Sequence, residues 1–172
     1  VQELLIHLSL SHPEVAFLFK SNNQEKLRTS GNGKLKDVIY NVYGRDIAAN
    51  LLEIDYEKGG LRITGYLGKP VITRGNRNFE NFFVNGRYVK SAMISKSLED
   101  AYKDFTMQHK FPFAVLHFHV DGETIDVNVH PTKMELRFQR QQEVYSTVYE
   151  GVHRRLLEPE LIEQAEVPDS LS

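Results

Sequence analysis

A proline sets the frame for reading this chain. Ile125, Val127 and Val129 alternate with Asp126, Asn128 and His130, so a strand there has one apolar and one polar face. Pro131 has no N–H to donate and stops the ladder. Lys133 is then expected on a short loop. A second alternating run follows, with Met134, Leu136 and Phe138 set against Glu135 and Arg137. The pattern describes a rigid strand that delivers one cation to the edge of the fold, where an ammonium meets a phosphate as a point charge. On spacing alone the plainer reading carries more weight: a strand, a proline turn and a solvated lysine.

Composition narrows the class. The chain has 172 residues, enough for one domain or for one domain and a tail, and its 41% hydrophobic content supports a real core. A net charge of −2 argues against a globally basic nucleic-acid binder, and the lack of cysteine excludes disulfides and thiolate metal sites. No apolar run approaches a membrane span, and no signal-peptide pattern is present. The opening Val1-Gln-Glu-Leu-Leu-Ile-His-Leu8 starts inside a helical pattern without a cap. We therefore expect a fragment of a longer protein, with residues 1–157 as one domain. Residues 158–172 form an acidic tail between Pro159 and Pro168 or the start of a linker.

Periodicity supplies the elements. Leu4, Leu5 and Leu8 predict a helix that ends before Pro13. Val15–Phe19 and Glu25–Thr29 predict a hairpin turned by Ser21-Asn-Asn23. Leu35, Val38, Ile39, Val42 and Tyr43 predict a helix closed by Gly44. Leu51–Tyr56 and Leu61–Leu67 predict a second hairpin. Phe79–Val84 and Arg87–Val89 predict a third, turned by Asn85-Gly86, a pair suited to a type I′ turn. A helix from about Ala92 to Phe105 follows, then a long strand from Phe113 to Asp121 that turns at Gly122 into the strand before Pro131. A last helix over 141–157 buries Val144, Val148, Val152 and Leu156. The order predicts an α+β fold, a mixed sheet with helices packed on one face.

Four groups of residues could carry chemistry. Residues 69–96 hold Lys69, Arg74, Arg77, Arg87, Lys90 and Lys96 against Glu80 alone, so this stretch is basic in a slightly acidic chain. A basic loop beside a hairpin can track a nucleic-acid backbone without reading sequence. Asp126, Asn128 and His130 can orient the Lys133 loop, or equally serve as a satisfied polar strand edge. His117, His119 and His130, with Asp126, can be imagined as a metal site, since His117 and His119 share a strand face, but no spacing supports one and none is expected. Gly31-Asn-Gly-Lys34 lacks phosphate-loop spacing, and a hairpin exit accounts for both glycines.

The run Asp126-Val-Asn-Val-His-Pro-Thr-Lys-Met-Glu-Leu-Arg-Phe138, with Phe83-Val-Asn-Gly-Arg87 and Gly31-Asn-Gly33, resembles the MutL family of DNA mismatch-repair proteins, in its bacterial form. The resemblance spans about Leu4 to Leu157. It implies a fold like domain 2 of ribosomal protein S5, serving as the second, transducing domain of the family's N-terminal half. In that setting Lys133 would leave its own domain and reach the γ-phosphate of ATP held upstream. ATP and Mg would belong to the intact protein only, and this chain alone would not hydrolyse ATP. Double-stranded DNA, a second copy of the protein and MutS are the implied partners, with Arg87 the first choice for DNA contact. The implied location is cytoplasmic, with no membrane partner. A plain RNA-binding module of the same fold is the alternative, followed by the transducer domain of a type II topoisomerase.

Overall fold

Turn residues and apolar periodicity set most of the element boundaries. The computed structural model describes residues 1–120, 125–130, 133–138 and 141–158, the two middle segments as backbone. Helix α1 (Gln2–Ser11) leads to the antiparallel strands β1 (Ala16–Ser21) and β2 (Gln24–Ser30). Asn22 and Asn23 make their turn at φ 53° and 62°, positive values that asparagine tolerates. Helix α2 (Leu35–Tyr43) stops at Gly44, whose φ of 96° no other residue adopts easily, and the single turn α3 (Arg45–Ala48) follows. Strands β3 (Leu51–Lys58) and β4 (Leu61–Gly68) form the second hairpin, and β5 (Glu80–Val84) and β6 (Arg87–Val89) the third.

Helix α4 (Ala92–Tyr102) is capped by Ser91, whose Oγ accepts from the Ile94 N–H at 3.2 Å. It ends three residues before the expected Phe105. The buried Tyr102 hydroxyl donates to the Gly68 carbonyl at 2.7 Å and fixes the helix end against β4. Strand β7 (Ala114–His119), the short strands β8 (Ile125–His130) and β9 (Lys133–Phe138), and helix α5 (Gln141–Leu157) complete the described chain.

The main sheet has the order β3-β4-β7-β5-β6 and is mixed, since β5 and β7 run parallel through the α4 crossover while the other pairs are antiparallel. Strand β7 lies at its centre, which explains its apolar character on both faces. Ala114, Leu116 and Phe118 pack with β3, β4, α4 and α5, and the α5 stripe Val144, Val148, Val152 and Leu156 is buried there as expected. The helices α4 and α5 thus share one face. Phe113 and Val115 point the other way, against Leu10, Val38, Ile39 and Ile47 of α1, α2 and α3, so the first helices cover part of the opposite face as well. Each large apolar side chain buried in these two layers contributes roughly 1.5–3 kcal/mol.

Two local expectations are corrected. The strand before Pro131 does not pair with β7, because β4 and β5 already occupy both edges of β7; β8 pairs with β9 instead. Lys133 is not a loop residue but the first residue of β9, in register with His130. The tail from 159 onward lies outside the described residues.

Candidate nucleic-acid interface and signature hairpin

The hairpin β8–β9 places the signature run in two short antiparallel strands. Asp126 faces Arg137, Asn128 faces Glu135 and His130 faces Lys133, with only residues 131 and 132 between the last pair. Lys133 therefore stands at the tip of a hairpin whose second strand lies alongside β6. The side chains of Asp126, Asn128, His130 and Lys133 fall outside what the structure describes.

The five basic residues predicted to meet nucleic acid are divided by the sheet. Lys69, Arg74 and Arg77 sit at the end where β4 leaves and β5 enters. Lys69 is half-buried and engaged with neighbouring groups. Arg74 is also half-buried, with its guanidinium 5.2 Å from the centre of the Phe79 ring, and its backbone is bridged to Phe111. Arg77 is clamped by Glu99 through two hydrogen bonds of 2.7 and 3.1 Å and lies 4.5 Å from the Phe111 ring centre. The Glu99 bond holds its guanidinium proton above the ordinary arginine range.

Lys90 follows β6, just past the Phe82–Val89 pair, and is exposed. It shares a cavity of about 260 Å³ with Arg77, His7, Tyr88, Glu80 and Ser95. Arg87 faces Val84 at the far end of β5, about 13 Å of strand away from Glu80. Of the five, Arg87, Lys90 and Arg77 are exposed, and Arg77 is paired with Glu99.

Arg87 is presented by a well-held turn. Asn85 and Gly86 have φ values of 48° and 85°. The Asn85 amide donates to the Val120 carbonyl at 3.0 Å, and its side-chain oxygen accepts from the Val120 N–H at 3.2 Å. The Asn-Gly pair thus sets the turn and also ties it to the end of β7. The aromatic neighbours of these cations have structural partners. Phe79 packs on Tyr43 and Phe113, and Tyr88 packs on Phe83 and stacks on His7 with ring centres 3.7 Å apart.

The histidines on β7 have separate structural partners. His117 Nε2 donates to the Leu10 carbonyl at 3.1 Å, and His119 Nε2 pairs with the Thr64 hydroxyl at 3.1 Å. Burial lowers the His117 pKa. Gly31 and Gly33 lie at φ 72° and 81°, and a Cβ on Gly31 would stand 2.7 Å from the Ala16 backbone nitrogen. That close approach is the structural role expected of this loop.

A pair of acids in this region escaped sequence reasoning. Glu80 opens β5, all five of whose residues are buried, and is itself only 7% exposed. Both of its carboxyl oxygens are buried, with the Glu99 carboxyl and the Ser95 hydroxyl beside them. Burial, and then the neighbouring Glu99, push its carboxyl up to about 9. The signal was present in the sequence, as one acid heading the apolar run Asn-Phe-Phe-Val.

A pH dependence follows. The unfolded chain releases the Glu80 proton near pH 4.5, whereas the fold keeps it to about pH 9, so native stability falls as pH rises through that window. Glu80→Gln removes this loss. The variant is expected to match wild type near pH 5 and to exceed it by a few kcal/mol near pH 9, read from urea midpoints across pH. Parallel stability profiles for the two proteins would contradict it.

Comparison with known proteins agrees with the fold. The family model described as "DNA mismatch repair protein, C-terminal domain" matches residues 39–157. The DNA mismatch repair protein MutL of Agathobacter rectalis is 50% identical over 167 residues, which is 97% of this chain and 26% of that protein. The solved N-terminal domain of a DNA repair protein superposes with a TM-score of 0.77 at 20% identity, covering 93% of this chain and 53% of that one. The ATPase domain of the Aquifex aeolicus mismatch repair endonuclease MutL does so at 0.57 and 16% identity, covering 88% and 50%. The mixed sheet and its helices are thus shared with DNA-repair N-terminal domains. The chain belongs to the MutL family of DNA mismatch-repair proteins. It spans about a quarter of the length of the curated relatives it matches.

Proposed function

We propose that this chain is the transducing part of a MutL-type ATPase, and that it lends Lys133 to an ATP pocket built by another part of the same protein. The observation that supports this most is the place of Lys133, the first residue of β9, in register with His130 at the tip of a hairpin. In the proposed role its ammonium would meet a nucleotide held outside its own domain. Phosphoryl transfer spreads negative charge over the terminal oxygens, and a placed cation stabilises that charge. Because the contact forms only while the third phosphate is present, ATP binding would fix the two domains relative to each other and hydrolysis would release them. Nucleotide state would thereby pass into dimerisation of the N-terminal halves.

ATP and Mg would be held by the remainder of the intact protein. The solved relative titled an ATPase domain is about twice the length that this chain covers. We place that remainder against α1 and β1, where Leu4 is 62% and Leu18 52% exposed and where the only strand partner of β1 among the described residues is β2. No helix among the described residues is long and apolar enough to cross a membrane. MutS, a second copy and a cytoplasmic setting complete the proposal on grounds of family.

The second role proposed is part of a double-stranded DNA surface centred on Arg87 and Lys90, with Arg77 beside Lys90 and with Lys69 and Arg74 more distant. Binding of this kind is electrostatic and falls with salt. Arg87→Ala is expected to weaken duplex binding several-fold irrespective of sequence and to reduce the salt slope by about 1. Titration of a fluorescent duplex at several salt concentrations checks this. An unchanged slope removes Arg87 from the surface.

A further inference from the structure

The chain leaves β5 at a turn whose first residue reaches back to the sheet. In the parallel pair of β5 and β7 the register ends with Val84 opposite Phe118. The Asn85 N–H still donates to the Phe118 carbonyl at 2.9 Å, and the backbone then turns away through Gly86 into β6. The Asn85 side chain continues where the backbone stops. Its amide oxygen accepts from the Val120 N–H, and its amide nitrogen donates to the Val120 carbonyl. A carboxamide carries the same acceptor and donor as a peptide unit, so it stands in for one further residue of β5.

Val120 is the last described residue before the signature hairpin, and Ile125 opens β8 five residues on. The direction of the chain at Val120 therefore sets how the root of that hairpin leaves the sheet. On the β4 side this strand end is held by the pairing of His119 with the Thr64 hydroxyl. On the β5 side the hold is Asn85. A second support comes from the same β5–β6 hairpin, because β6 lies alongside β9. The geometry of the hairpin makes its root matter. Ile125 faces Phe138 at the root and His130 faces Lys133 at the tip. About 17 Å of strand lies between them, so a tilt of about 5° at the root displaces the tip by about 1.5 Å. An offset of that order at a reacting centre costs up to about 100-fold in rate.

We infer that Asn85 is a positioning residue for Lys133: its carboxamide fixes the chain at Val120 and so aims the hairpin that carries the lysine. The destination of the lysine, a terminal phosphate, rests on the function proposed above, whereas the brace on the hairpin does not. Glycine at position 85 separates the two jobs of this residue. It adopts the φ of 48° that the turn needs, and it removes the carboxamide. The two Val120 groups then pass to water, so overall stability changes little while the aim is lost.

The test compares wild type, Asn85→Gly, Lys133→Ala and the double variant in the protein that carries the ATP-binding half together with this chain. Asn85→Gly is expected to lower kcat for ATP about tenfold, with KM and the urea midpoint nearly unchanged. It is also expected to speed amide hydrogen exchange in peptides covering 119–138, and to add nothing to the loss in Lys133→Ala. Wild-type turnover in Asn85→Gly, where Lys133→Ala is slow, overturns the inference. So does a double variant in which the two losses multiply, since a merely structural effect is independent of the lysine. Exchange over 119–138 that matches wild type overturns the brace itself. Undiminished turnover in Lys133→Ala counts against the phosphate reading alone, and the exchange measurement still decides whether Asn85 holds the hairpin.

Discussion

Alanine at position 133 is expected to lower ATP turnover by about 100-fold in a protein that carries the ATP-binding half together with this chain. That corresponds to about 2.7 kcal/mol of lost transition-state stabilisation, the range seen when one donor aimed at developing negative charge is removed. The loss should appear mainly in kcat, because charge on the terminal phosphate oxygens matters most in the transition state. Lys133→Arg should restore only part of the rate, since a planar guanidinium does not reproduce a compact ammonium. A coupled phosphate-release assay with matched circular dichroism spectra reads the effect. Unchanged turnover in a folded Lys133→Ala variant would return Lys133 to a surface lysine and favour a plain nucleic-acid-binding module.

The largest expected effect on stability comes from Gly65→Ala. Gly65 lies mid-strand in β4, opposite Leu116 of β7, with φ +128°, a value that L side chains rarely adopt. A Cβ built there stands 2.1 Å from the Val115 carbonyl oxygen, and that oxygen is backbone in the central strand of the sheet. Neither strain nor clash can be relieved by turning a side chain. The two together should cost about 3 kcal/mol or more and lower the urea midpoint accordingly. Gly59→Ala is the control, with nothing within 4 Å of its Cβ; its φ of +60° carries strain without the clash, so its loss should be clearly smaller. Equal losses at the two positions would mean that β4 and β7 do not approach as described.

Much of this fold was legible because it is local. Asn85-Gly86 declared its turn, Gly44 its helix end, and Val144, Val148, Val152 and Leu156 their buried stripe. What failed was non-local pairing. Strand alternation says which face is buried but not which strand lies alongside, so the strand after β7 was expected to pair with β7 when β4 and β5 had already enclosed it.

The same limit applied to the candidate site. The basic character of 69–96 was visible, but its division was not, because the clamp on Arg77 comes from Glu99, 22 residues away in sequence. Glu80 was counted only as one negative charge among cations. Its burial depends on α4 closing over β5, and the apolar run that follows it was the one local hint. The signature run was the opposite case: its residue types were informative in sequence, and the structure adds the register that sets Lys133 across from His130.

The central claim is that Lys133 recognises the third phosphate of a nucleotide bound outside this domain. The most direct measurement compares the affinities of a non-hydrolysable ATP analogue and of ADP for the longer protein, with lysine or alanine at position 133. The expected result is that alanine weakens binding of the analogue while leaving ADP unchanged, so the preference for the triphosphate disappears. A preference that persists undiminished in Lys133→Ala contradicts the claim.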